Sequence, residues 1–207
     1  MDRIYRLFPR RGTADERVPR LGLILYQQQK YQEAEVVLRE TVQGQEKALG
    51  KEHPDTLTSK CWLGVALYEQ QKYQEAEVVQ QETIKGREKA LGKEHPNTLN
   101  SKYWLGLALY EQQKYQEAEK YQEAEVVLRE TIQGREKALG KEHPDTLNSK
   151  YWLGLALYEQ QKYQEAEVVQ QETVQGREKV LGKEHPDTLE SKHQLNKLSH
   201  TAGVSAL

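Results

Sequence analysis

The chain has 207 residues, and its 30 Lys plus Arg nearly balance 32 Asp plus Glu, for a formal charge of −2. No basic excess exists to release counterions from a phosphate backbone, which argues against nucleic acid as a partner. Only 36% of the residues are hydrophobic and 30% are charged, too few apolar groups for one thick core but enough for a thin stack of repeating units, each burying a stripe against its neighbours.

Residues 1–17 read as a tail outside any repeat. Arg3, Arg6, Arg10, Arg11 and Arg17 interrupt any apolar run a signal peptide would need, and Asp2, Asp15 and Glu16 count against a transit peptide. No stretch is long and apolar enough to cross a bilayer, and the terminal Ser205-Ala206-Leu207 lacks the middle lysine of a peroxisomal address. The expected location is cytoplasmic, with no membrane partner.

From residue 18 onward the sequence repeats. Glu-His-Pro recurs at His53, His95, His143 and His185, with intervals of 42, 48 and 42 residues. Lys-Tyr-Gln-Glu-Ala-Glu recurs at Lys30, Lys72, Lys114 and Lys162, and Leu-Gly at Leu21, Leu63, Leu105 and Leu153. Such periods mark stacked supersecondary units. Each unit predicts two helices. The first starts at His-Pro-Asp, with proline suited to the first helical position and an early acid to the positive end of the macrodipole. Its stripe runs through Leu57, Leu63, Gly64 and Leu67. The second runs from Tyr73 through Ala76, Val79, Thr83 and Ala90, and Gly92 follows it as a left-handed cap would. A short turn makes the pair antiparallel.

In chain order, 18–51 is a degenerate first hairpin, because Pro19 falls where Cys61 falls in the next unit and should shorten the helix. A second hairpin covers 52–93. The third, 94–141, carries a six-residue duplication at 115–120, which should add helical turns at its corner, since six residues rotate a continuous helix by about 240°. The fourth is 142–183, followed by a lone, more polar capping helix at 184–198 and a frayed tail at 199–207. Gly44, Gly86, Gly134 and Gly176 inside the second helices suggest close crossing by the following hairpin. The second helices also alternate, Leu38-Arg39 and Leu128-Arg129 against Gln80-Gln81 and Gln170-Gln171.

Leu-Gly followed by Tyr73 and Ala76, the 42-residue period, and the run from Arg87 to Pro96 resemble the tetratricopeptide family, in the kinesin-light-chain-like type found in fungal NACHT/NB-ARC receptor arrays. The resemblance covers residues 21–198. It implies an all-α fold, a right-handed α-α superhelix (a TPR-like solenoid) of about four hairpins plus a C-terminal capping helix, with first helices lining a concave, peptide-holding groove. The chain departs from the family pattern at Lys60, Lys102, Lys150 and Lys192, where apolar residues are usual. It also has Cys61-Trp62, Tyr103-Trp104 and Tyr151-Trp152 in place of an Asn pair that helps hold cargo, so cargo preference does not carry over.

The search for chemistry returns nothing. The His-Pro histidines stand one per repeat, roughly 10 Å apart, too far to share an ion with bonds of about 2 Å, and read as helix starts. Cys61 is the only cysteine and has no aimed histidine. Glu75, Glu77 and Glu82 read as a solvated face. Neither enzyme activity nor a metal or cofactor is expected.

A partner site is suggested instead by differences among copies. In the first helices these include Thr58/Asn100/Asn148, Cys61/Tyr103/Tyr151 and Val65/Leu107/Leu155, spaced three and four apart and so on one stripe. Glu190, His193 and Lys197 continue it, and Glu69, Glu111 and Glu159 lie one turn on. This stripe is expected to be the exposed inner face, with Tyr103, Leu107, Tyr151 and Leu155 as an apolar floor and the Asn residues meeting a peptide backbone. Trp62, Trp104 and Trp152 flank it and read as packing between repeats. The expected function is a scaffold binding a partner protein or peptide, which the resemblance extends to the sensor array of a larger fungal receptor; the alternative is a structural solenoid that self-associates end to end.

Overall fold

The computed structural model describes residues 17–112 and 119–205, with side chains at 21–112 and 119–200. Residues 115–118 of the expected six-residue insertion and nearly all of the N-terminal tail lie outside these residues, whereas Glu119 and Lys120 begin a helix. Among the described residues the elements are α1 (Arg17–Gln27), α2 (Tyr31–Ala48), α3 (Pro54–Glu69), α4 (Tyr73–Leu91), α5 (Pro96–Gln112), α6 (Glu119–Leu139), α7 (Pro144–Glu159), α8 (Tyr163–Leu181) and α9 (Pro186–Ser205), with no strand. The fold is all-α, and neighbouring helices pack in the TPR-like manner. The chain forms two compact units, one ending at Val79 and the other starting at Gln80.

In the first unit α2 packs on α1 and α3, and α1 also touches α3. In the second, each helix from α5 to α9 packs on the next, and α5 also meets α7. Alternating first and second helices, with α1 reaching α3 and α5 reaching α7, is the packing a two-helix repeat requires.

The turn between hairpins is built from the recurring Gly-Lys-Glu-His-Pro-x-Thr. Gly50, Gly92, Gly140 and Gly182 have φ near +95°, and at Gly182 ψ is 161°. That is the mirror-extended region, open essentially only to glycine, rather than the expected left-handed helical cap. His143 precedes Pro144, and its Nδ1 accepts the Asp145 backbone N–H at 3.1 Å; His53, His95 and His185 do the same. The histidine is therefore a helix N-cap, satisfying one of the donors left over at a helix start. Thr146 Oγ1 donates to the Gly140 carbonyl at 2.9 Å, closing the turn, and Thr56 and Thr98 repeat that bond.

Within a hairpin the turn is different. Lys72 N donates to the Leu67 carbonyl and Gln71 N to the Tyr68 carbonyl, the paired reversed bonds of a Schellman ending. The turn places Gln71 at a φ of 61°, and Gln29 and Gln161 match it.

The helical glycines answer to their own hairpin, not to the next one. A Cβ on Gly134 would lie 2.5 Å from Leu99 Cδ2, and one on Gly176 2.5 Å from Leu147 Cδ2. Each leucine belongs to the preceding first helix of the same hairpin. On α2, Gly44 is exposed, and among the described residues nothing lies within 4 Å of a Cβ there. At the other end α9 continues to Ser205, past residue 198, so the frayed ending expected from 199 is helix instead.

Candidate functional site

The first helices are more enclosed than their sequence suggests. In α3 every residue from Cys61 to Leu67 is buried, so the middle of the helix is wrapped on all sides. The predicted stripe is therefore accessible mainly towards its ends. Cys61, Val65, Leu107 and Tyr151 are 4%, 1%, 3% and 6% exposed. They do not form the open floor that the sequence suggested. Thr58, Glu69, Asn100, Tyr103, Glu111, Asn148 and Leu155 are half-buried, and Glu159, Glu190, His193 and Lys197 are exposed.

In the first unit, Thr58 donates to the Pro54 carbonyl at 2.9 Å. Glu69, the last residue of α3, accepts the Tyr26 hydroxyl at 3.0 Å. Tyr26 also stacks obliquely on Tyr31 and Trp62, with ring centroids 5.5 and 5.7 Å apart. This places Trp62 in the packing between α1 and α3. In the second unit Trp152 meets Tyr110 in the same way at 5.4 Å.

The second unit shows what covers the tyrosines. The Arg135 guanidinium lies 4.7 Å above the Tyr103 ring and that of Arg177 4.9 Å above Tyr151, a cation–π arrangement. Arg135 Nη1 donates to the Asp145 carbonyl and to Ser149 Oγ, both at 2.8 Å. Arg177 does the same to Asp187 and Ser191, and Arg87 to Asn97 and Ser101. Each arginine thus ties a second helix to the first turn of the following first helix. All three are 4–5% exposed. Burial pulls Arg135 and Arg177 below the ordinary arginine value, while neighbouring Asp145 and Asp187 respectively oppose it. Burial pushes the Tyr103 phenol up to about 12. Arg177 Nη2 also donates to Asn148 Oδ1 at 2.9 Å, so one acceptor site of Asn148 is already used. Tyr151 donates to Glu190 at 2.9 Å, and Lys197 sits 4.5 Å above Tyr158.

These arginines were missed in the sequence, though the signal was present. Gly-Arg recurs at 86, 134 and 176, whereas the first hairpin has Gly44-Gln45. The residue that departs from the family pattern, Lys102 or Lys150, has a related task. Lys150 Nζ bridges Glu136 at 3.0 Å and Glu172 at 2.8 Å, and Lys102 bridges Glu88 and Glu130. A lysine replaces an apolar residue here because carboxylates on two second helices converge on it.

A second pattern occurs at the corners. Glu35 accepts from Lys72 Nζ at 2.7 Å, Arg39 Nε at 2.8 Å and Gln70 Nε2 at 2.9 Å. Glu125 has the same partners in Lys162, Arg129 and Gln160. Burial raises the Glu35 carboxyl, but its three donors outweigh that and hold it at about 2. Arg39 also reaches Glu75 at 2.6 Å.

Among the described residues no group of three His, Cys, Asp or Glu could hold a metal, and no helix is long and apolar enough to cross a membrane. His193 and His200 are exposed or lie at the end of the described side chains, and neither has a metal-binding neighbour set there.

Two tetratricopeptide repeat models match the chain, one at residues 15–89 and 58–123, the other at 119–145 and 146–187. No curated protein matches. Among solved structures, the chain is similar to a Podosopora anserina protein described as a kinesin light chain with nearly identical TPR-like repeats. The identity is 30%, with 91% of this chain and 86% of that chain covered, at a TM-score of 0.76. A singly substituted form of that protein gives 29% identity, 93% and 90% coverage and a TM-score of 0.77. BtubC (BKLC) from P. vanneervenii shares the fold at 17% identity and a TM-score of 0.76, over 91% of this chain and 72% of that one. With repeat models spanning most of its length and these neighbours, the chain belongs to the tetratricopeptide repeat family, with repeats of the kinesin-light-chain-like kind.

Proposed function

We propose that the chain is a protein-binding scaffold that seats a partner peptide along the accessible edge of its first helices. The observation that carries this is the placement of sequence differences. In an array of near-identical copies, three of the four positions that differ among α3, α5 and α7 lie on one stripe, and Asn100, Tyr103, Asn148, Leu155, Glu159 and His193 on or continuing that stripe retain solvent access. The enclosed residues Cys61, Val65, Leu107 and Tyr151 act beneath it, as support. A TPR fold favours protein partners, and a place as the sensor array of a larger fungal receptor is the extension that the resemblance offers.

Affinity capture from the source organism tests this with Glu159→Lys plus His193→Ala, two exposed changes that leave the core intact. The partner bound by the parent chain should be lost. Equal capture by parent and variant removes the assignment.

The second reading is end-to-end self-association. Leu189 on α9 favours it, being 46% exposed where its repeat equivalents Leu57, Leu99 and Leu147 are 2% exposed. Against it, α9 carries Asn196 where α1, α5 and α7 carry Gly22, Gly106 and Gly154, and those glycines admit Leu38, Leu128 and Gln170 of a second helix. Light scattering across a concentration series decides: a persistent monomer eliminates this reading.

A further inference from the structure

The joint between the first and second hairpins contains a cavity of about 460 Å³, within the range of sites that hold small ligands. Tyr31, Glu69 and Gln70 line it, with Lys30, Glu33 and Lys72 around them. Their charges do not count equally. Lys72 is bound to Glu35 at 2.7 Å, and Glu35 shares Arg39, which is itself paired with Glu75 at 2.6 Å. Lys30 lies 3.7 Å from Glu33. These three cations and three anions cancel. Glu69 remains, and among the described residues no cation pairs with it. It stands at the C-terminal end of α3, where the helix dipole adds further negative potential.

One acceptor in this wall has unused capacity. Glu69 Oε1 takes the Tyr26 hydroxyl, which leaves its second oxygen. The Gln70 amide is held in place, with Nε2 donating to Glu35 at 2.9 Å and the Tyr31 carbonyl at 3.2 Å, and it fixes the wall beside Glu69. A carboxylate beside a tyrosine calls for a planar cation with several donors. The second unit repeats the set: Gln160 Nε2 is held by Glu125 and the Tyr121 carbonyl, and Glu159 is near Tyr110 and Tyr121.

We propose that the cavity between Tyr31, Glu69 and Gln70 is a side pocket for an arginine side chain of the bound peptide, so that the array selects basic rather than acidic partners. The inference rests on the groove reading and deepens it. Glu69 supplies the charge and, through its second oxygen, the directional acceptor, and Tyr31 the stacking face.

The test is an NMR titration of the full chain with three acetylated, amidated pentapeptides, Gly-Gly-X-Gly-Gly, where X is arginine, citrulline or glutamate. Citrulline keeps the shape of arginine and removes the charge. The arginine peptide should move the Gln70 side-chain amide resonances and bind at least about five-fold more tightly than the citrulline one, with the glutamate peptide weakest. Glu69→Gln, which still accepts from Tyr26, should abolish the preference, whereas Glu40→Gln, an exposed charge change on α2, should keep it. Equal binding of arginine and citrulline, a glutamate preference, or an unaltered Glu69→Gln variant would overturn the proposal. The two readings fail separately. A partner captured through Glu159 and His193 without arginine selection removes the pocket alone, and arginine selection without any such partner removes the groove alone.

Discussion

Gln170 and Leu128 occupy the same place in two hairpins, one over Gly154 and the other over Gly106. Leu128 is fully buried without a polar atom to satisfy, while buried Gln170 donates to the Tyr151 carbonyl at 3.1 Å and leaves Oε1 without a partner. A buried acceptor without a donor costs about 1–3 kcal/mol. Gln170→Leu should therefore stabilise the protein by about 1 kcal/mol, seen as a higher thermal midpoint; a lower midpoint would mean that the single amide bond outweighs the lost solvation. The glycines give opposite signs at equivalent positions. Gly44→Ala on exposed α2 should gain up to about 1 kcal/mol of helix propensity. Gly134→Ala, forced against Leu99, should destabilise by about 1–3 kcal/mol, measured by urea denaturation.

The paired helices depend on their turns. Because His143 Nδ1 caps α7 through the Asp145 N–H, His143→Ala should cost about 1 kcal/mol, and His143→Asp should recover most of it, since aspartate caps the same donor. Circular dichroism melts of the two variants check the order. Helix starts, ends and pairing were legible in the sequence because His-Pro, Gly and the apolar period act over a few residues. The ψ of Gly182, the positive φ of Gln161 and the reversed bonds that end α7 were not, since glycine signals only the positive φ and glutamine is no signal for that conformation. The correction at the C-terminal end is local: α9 runs on to Ser205.

Across the chain the ionic networks make stability depend on pH at both extremes. Glu35 is held at about 2, below its ordinary value, so its contribution is complete above the normal carboxylate range and disappears as pH falls through about 2. Glu125 shifts in the same direction. Lys102 and Lys150 act at the other end: burial lowers them, but their paired glutamates outweigh it and raise both above the ordinary lysine value. Their contribution is present below about 10.4 and is lost as pH rises through the elevated values. Thermal midpoints should fall below about pH 4.5 and again above about pH 10.5, and Glu35→Gln plus Glu125→Gln should flatten the acid limb. An unchanged acid limb would remove these two carboxylates as its cause.

The sequence by itself determined the repeat, its period, the helix pairs and the family, because these follow from short-range patterns copied in register. It also marked the variable stripe. Tertiary structure alone decided which stripe residues meet solvent. Burial is a sum over neighbouring helices, and periodicity within one helix does not report what stands opposite it. Arg135 and Arg177 look like surface residues in the sequence, yet they cover Tyr103 and Tyr151. Glu69 looks like one more exposed acid, yet it lines a cavity whose other charges are already paired.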